Sequence, residues 1–336
     1  MKRHIKIEPK MKYISLLEQK RHRLPFYLAM EEYVARHFDE DECFFMWQVE
    51  PTVIFGRNQL IENEVNLDYC RTHGIETYRR KSGGGCVYAD PSNIMFSYIV
   101  KADNVSFTFD RYIRMVAFVL RKLGIPAEAS GRNDILIHGK KVSGNAFYHI
   151  PGKSIVHGTM LFDTDIETLV RAITPSNEKL ISKGVESVRQ HVTNLSEYLD
   201  IDIDEFKTFI QTQLCDENIL LCETDVENIK KIEQEYLTDE FIYGKNPRYT
   251  LIKKGRTPMA GELEIRMELQ NGVIKKINLM GDYFLTGDLD TGLLKPLTGI
   301  SYEKETVRHV LEQIPLGDII LHLDEKQFMN ILFKTE

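Results

Sequence analysis

YRRKSGGGCVY (Tyr78–Tyr88) places three consecutive glycines between a basic segment and an apolar one. Adjacent glycines are costly in backbone entropy, so a chain keeps them where a side chain would obstruct something. Close approach of backbone N–H groups to an anion is one such reason, as in the nests that cradle phosphates. Arg79, Arg80 and Lys81 put positive charge beside that backbone, and an arginine fork matches phosphate geometry. A Gly-rich hairpin turn with a solvated basic flank satisfies the same string, and glycine motifs alone have many false matches.

The rest of the chain narrows the choice. Lys plus Arg is 43 and Asp plus Glu is 50, a formal charge of −7. Nucleic-acid binding needs an extended basic face, so no nucleic-acid partner is expected and any anion must meet a local cluster. The best cluster is Arg79–Lys81. With 336 residues, 43% of them apolar, the chain can fill one large domain or a large and a small one. Cys43, Cys70, Cys86, Cys215 and Cys222 are odd in number and lack zinc spacing, so reduced thiols in the cytoplasm are expected. No run reaches the roughly 18 apolar residues of a membrane span, and no membrane partner is expected.

Organisation starts at Met11, with residues 1–10 read as a disordered extension or a start-site artefact. Pro25 opens a helix through Tyr27 and Val34. CFFMWQV (43–49) and TVIFG (52–56) read as two strands of one hairpin. A polar loop and a short helix follow, ending near Gly74. NIMFSYIV (93–100) is a buried strand, and Ile113, Val116, Ala117, Leu120 and Leu123 mark a helix from Ser106 that stops at Gly124.

The second dense cluster is GRNDILIHGKKVSGNAFYHIPGKSIVHGTMLF (131–162), short β-type runs broken by turns such as His138-Gly139. A lone lysine after a turn is commonly solvated and a lone histidine commonly structural. Lys140, Lys141 and His157 in one glycine-punctuated region favour a shared anion site with the glycine loop. From Asp165 to about Glu240 the pattern is helical, and YGKNP (243–247) reads as a turn and linker. Beyond it, Asn271-Gly272 between GELEIRMEL and VIKKINLMG signals a hairpin. Helices at about 302–313 and 325–333 complete a small α+β unit.

Several strings, taken in order, resemble lipoate–protein ligases of the A type: LAMEE (28–32), GRNQ (56–59), RRKSGGGCVY (79–88), GRND (131–134), KVSGNA (141–146), HGT (157–159), SKGVESVRQHVTNL (182–195), YGKNP (243–247) and GDYFLTGD (281–288). The resemblance spans about Tyr13 to Phe333. It implies an α/β (α+β) fold: a catalytic domain at 11–245 with a mixed β-sheet flanked by helices, shared with biotin ligases, and a C-terminal accessory domain at 250–336 that closes over it or swings away.

The reaction it implies has two steps. Lipoate attacks the α-phosphorus of ATP to give lipoyl-adenylate and pyrophosphate, and an acceptor lysine then expels AMP. Two anions must meet in the first step, so positive charge has to be fixed in advance. Lys141 is the candidate for that role, with Arg80, Ser82 and the Gly83, Gly84 and Gly85 amides on phosphate and Cys86, Val87 and Tyr88 against ATP or adenylate. Asn133 joins them, and Asp134 is the candidate ligand for Mg2+, with contact near adenine or ribose as its alternative. Trp47 and Val87 are candidates for an apolar tunnel for the lipoyl chain, ordinary core being the alternative for Trp47, and His157 and Gly158 border the carboxyl group. Implied partners are lipoate or octanoate and the lipoyl domains of 2-oxoacid dehydrogenase E2 subunits or the glycine-cleavage H protein. A monomer is the expected state.

Two departures stand out. Ala89 occupies a position where many relatives of this type carry histidine, and Cys86 one where alanine is usual. A cysteine nucleophile belongs to an alternative, an ATP-independent lipoyl or octanoyl transferase, whereas a buried cysteine acts as a small hydrophobe. A non-catalytic lipoate-binding relative is the third reading.

Overall fold

The structure, a computed structural model, describes residues 11–18, 20–101, 105–130, 133–173, 188, 190–243, 251–270 and 272–333. The expected extension at 1–10, Gly131-Arg132, half of the 182–195 string and most of the 243–247 turn lie outside them. In chain order the strands are β1 (Met11–Leu16), β2 (Glu42–Trp47), β3 (Thr52–Phe55), β4 (Glu76–Arg79), β5 (Val87–Ala89), β6 (Asn93–Val100) and β7 (Ala127–Ala129). They continue with β8 (Asp134–Ile137), β9 (Lys140–Ile150), β10 (Lys153–Leu161), β11 (Cys215–Leu221), β12 (Leu251–Thr257), β13 (Gly261–Gln270) and β14 (Val273–Gly281).

A mixed eight-stranded sheet runs β11-β1-β2-β6-β10-β9-β8-β7, and β4-β3-β5 form a second, small sheet. Strand β6 lies in the middle of the large one, which explains why NIMFSYIV carries apolar residues on both faces. Met95 and Ile99 enter one core, while Ile94, Phe96, Tyr98 and Val100 enter the other. The first core is covered by helix α1 (Leu24–His37), the small sheet and the helix Glu223–Tyr236. The second is covered by the helices Val105–Lys122 and Ile203–Leu214. Strands β12-β13-β14 form a three-stranded antiparallel sheet that packs with the C-terminal helices around a third core.

Two expectations fail here. The strands within 43–56 do not form a hairpin: β2 pairs with β1 and β6, whereas β3 pairs with β4 and β5. Glu50-Pro51 carries the chain from one sheet to the other, and Pro51 has no N–H to continue a ladder. The stretch 165–240 is not all helical either, because CDENILL forms edge strand β11, parallel to β1. Its acidic first half obscures the alternation, and pairing with β1 decides its conformation. The helix to Lys122, the turn at His138-Gly139 with both residues at positive φ, and the hairpin about Gly272 are as expected.

Candidate functional site

The glycine loop lies between the two sheets. Across β2 and β6, Trp47 stands opposite Met95; across β3 and β5, Ile54 stands opposite Val87. These four side chains and Leu28 of α1 form the apolar end of a cavity of about 90 Å³. Its polar end is lined by Arg80, Gly84, Gly85, Asn133, Lys141 and Asn145. Cys86, His157 and Gly158 also face it.

A β-bulge aims the lysine. Leu136 of β8 pairs with Lys141, but Ile135 pairs with Ser143, so the register shifts by one residue beside the cavity. The Lys141 side chain folds back over Gly144, where an added Cβ would lie 2.6 Å from Nζ. Nζ lies 2.8 Å from Asp134 Oδ1. Asn145 clamps the start of β8: its backbone N–H and Nδ2 both donate to Asn133 O at 3.0 Å, and Asn133 Nδ2 donates back to Asn145 O at 3.2 Å. Gly158 has no side chain because one would overlap Asn145 Oδ1.

The basic flank does not form the anion cluster expected of it. Arg79 donates from Nε to Ile242 O at 2.9 Å and from its Nη1 to the carbonyls of Gly56, Arg57 and Gln59. Lys81 Nζ lies 2.8 Å from both Glu32 Oε1 and Glu235 Oε2. Arg80 donates from Nε to Ser82 Oγ, from one terminal nitrogen to Ile54 O, and from the other to the carbonyls of Gly83 and Gly85, both at 2.7 Å. Four of its five N–H groups are thus spent on the loop and its surroundings, which corrects the expectation of a fork aimed at phosphate. Burial pushes this guanidinium down to about 10, leaving it charged at neutral pH.

Other expected residues stand apart from the cavity wall. Ser82 is fully buried behind it, with His157 Nε2 2.6 Å from its Oγ. Gly83 is pressed against the backbone of Tyr283. Tyr88 is buried in the core, since neighbouring residues of a strand face opposite ways and Val87 takes the cavity side. Asp134 meets Lys141. No group of three or more His, Cys, Asp or Glu residues suited to a metal occurs among the described residues. A single carboxylate fits a magnesium ion that arrives on nucleotide phosphates and keeps most of its waters.

Trp47 lines the cavity and stacks on Tyr27 at a centroid distance of 4.8 Å. Burial, partly opposed by the charge of Arg80, pushes the Cys86 thiol up to about 12. It is a protonated, poorly nucleophilic group there.

The residue that the sequence reading did not anticipate is Phe284. It comes from the segment after β14, stacks on Phe147 at 5.8 Å, and closes the polar end of the cavity. Asn145 and Gly144 lay within the KVSGNA string, and Ile54 and Met95 sat on strands already read. Nothing local to GDYFLTGD marks Phe284 as part of a site 200 residues upstream.

Comparison with known proteins agrees with this architecture. A family model described as the lipoyl protein ligase A/B catalytic domain matches residues 24–215, and one described as the bacterial lipoate protein ligase C-terminus matches 246–332. The chain is 35% identical to lipoate-protein ligase LplJ of Bacillus subtilis (strain 168), over 91% of this chain and 96% of that protein. A bipartite lipoate protein ligase from Thermoplasma acidophilum, whose structural study included its E2 lipoyl domain, is similar over 72% of this chain and 100% of that one. Its TM-score is 0.63 at 27% identity. A lipoate-protein ligase A solved with ATP bound is similar over 71% and 99% of the two chains, with a TM-score of 0.58 at 25% identity.

Proposed function

The chain belongs to the lipoate–protein ligase family, an enzyme family, and from that premise we propose that it activates lipoate with ATP and transfers it to a lysine of an acceptor lipoyl domain. The observation that carries this reading is the two-ended cavity, with Lys141 at the polar end and the Trp47–Met95 and Ile54–Val87 pairs at the other. An apolar acyl chain fits the second end, and its carboxylate then points at the lysine.

In the first step a lipoate carboxylate oxygen bonds to the α-phosphorus and the bond to the β-phosphate oxygen breaks, releasing pyrophosphate. Lys141 supplies positive charge where two anions meet, already oriented by Asp134 and by the bulge. Gly84 and Gly85 line the polar end where the phosphates would lie, in a conformation held by Arg80. Magnesium would screen the phosphates, with Asp134 as its protein donor. In the second step the neutral acceptor amine attacks the acyl carbon, the carbon–oxygen bond to AMP breaks, and the amine loses a proton. Orientation carries most of that step.

We take residues 11–245 as the catalytic unit and 250–336 as the accessory unit of a monomer working in the cytoplasm. Octanoate, with the same carboxyl end, is the second acyl substrate. The acceptor is a lipoyl domain of E2 type or an H protein. A thioester on Cys86 is disfavoured by its raised pKa. Pyrophosphate release from ATP tests the reading. It should require lipoate and fall by roughly a hundredfold or more in Lys141→Ala, as for loss of a transition-state charge donor. Lipoate-independent release, or none from the unsubstituted protein, would end the proposal.

A further inference from the structure

Six buried polar side chains form one unbroken hydrogen-bond chain beneath the cavity, from its apolar end to the glycine loop. The Trp47 indole N–H donates to Ser97 Oγ at 2.8 Å, and Ser97 Oγ donates to Glu31 Oε1 at 2.6 Å. Glu31 Oε2 lies 2.9 Å from His157 Nδ1, and His157 Nε2 lies 2.6 Å from Ser82 Oγ. Arg80 Nε closes the chain on Ser82 Oγ at 2.9 Å. Glu31, Ser82 and Ser97 are 0% exposed.

Arg80 Nε has only a hydrogen to give, so Ser82 Oγ accepts it. With the serine hydrogen turned to His157 Nε2, the imidazole carries its proton on Nδ1 and donates it to Glu31. A buried carboxylate is costly unless paired, and this one does not line the cavity, so it makes no contact with a ligand there. Its partners lead instead to Arg80, the group that grips Gly83 O and Gly85 O.

We propose that Glu31 is a positioning residue for the nucleotide. Through His157 and Ser82 it fixes the roll of the Arg80 guanidinium, and so the shape in which the glycine loop receives phosphates. This deepens the ligase reading above and rests on it. An amide in place of the carboxylate turns an N–H₂ toward His157 or Ser97. A ring that answers by moving its proton to Nε2 faces Ser82 Oγ with two donors and leaves the serine hydrogen without an acceptor. Cutting the chain at Ser82 frees the same Arg80 edge.

The test is a double-substitution cycle with Glu31→Gln and Ser82→Ala, read by KM for ATP, KM for lipoate, calorimetric affinity for a non-hydrolysable ATP analogue, and melting temperature. Each single substitution should raise KM for ATP and weaken the analogue roughly tenfold, the scale of one hydrogen bond to a charged group. KM for lipoate should move by less than about threefold, and the double variant should be no worse than the weaker single one, because one chain is cut only once. Additive losses, a change confined to lipoate, or unchanged analogue affinity would overturn the proposal. If Glu31→Gln does not fold, Ser82→Ala decides alone by the same ATP-against-lipoate split. Failure of the ligase reading looks different: the unsubstituted protein then releases no pyrophosphate whatever the variants do.

Discussion

The backbone carbonyl of Tyr283 accepts the amide of Gly84 at 3.2 Å, so a residue of the C-terminal segment caps the glycine loop of the large domain. The next residue, Phe284, is 3% exposed and belongs to the core under the Val105–Lys122 helix. The segment after β14 therefore shares a buried aromatic contact with the large sheet's second core, and Phe284 completes one wall of the cavity.

Phe284→Ala should cost about 3 kcal/mol, as for a buried aromatic that leaves a cavity behind. The loss should appear as a lower urea midpoint, with the C-terminal domain unfolding first by near-ultraviolet and far-ultraviolet probes that no longer coincide. Coincident transitions at the original midpoint would show that the ring contributes nothing to coupling.

Gly158→Ala puts a methyl group where Asn145 Oδ1 lies. Asn145 must then release Asn133, and a buried amide loses its partners at a cost of about 2 kcal/mol. A melting temperature within 1 °C or so of the parent's, for a domain of this size, would mean that the clamp relaxes without strain.

Cys86→Ala should retain activity within about threefold, since a thiol held near 12 contributes packing rather than a thiolate. Mass spectrometry after brief alkylation at pH 8 should find exposed Cys222 modified well before Cys86. A transferase using Cys86 gives the opposite result on both counts.

Alkaline pH should weaken the fold. Burial raises Cys43, Cys86 and Cys215 from 9.0 to about 12, Cys70 to about 11, and Tyr13 from 10.0 to about 12. Above pH 9 the unfolded chain has released protons that the folded chain keeps, so stability falls as pH rises through 9 to 12. Each thiol contributes up to about 1.4 kcal/mol per pH unit. Urea midpoints at pH 8 and 10.5 measure the fall, and equal midpoints would contradict it.

Motif order made the family and the cavity walls readable, because short strings with fixed local roles keep those roles wherever the chain takes them. Lys141, Gly84 and His157 are of that kind. What the strings hid is long-range. Arg79 and Lys81 look like ligand groups in sequence, yet their partners Ile242 and Glu235 lie about 160 and 150 positions away. Tyr88 is a simpler error, since strand alternation excluded it from the cavity once Val87 was placed there. Strand β11 escaped notice for the same reason as Phe284: its conformation depends on a distant partner more than on its own residues.

That partner has a consequence for synthesis. β1 matches β2 at only two register positions but matches β11 at six, and Ser15 and Ile219 are 204 positions apart. At roughly 5–20 residues per second a ribosome needs on the order of 10–40 seconds to bring them both into being. For that interval β1 waits without the partner of its β11 edge, and the large sheet cannot be completed until β11 has emerged.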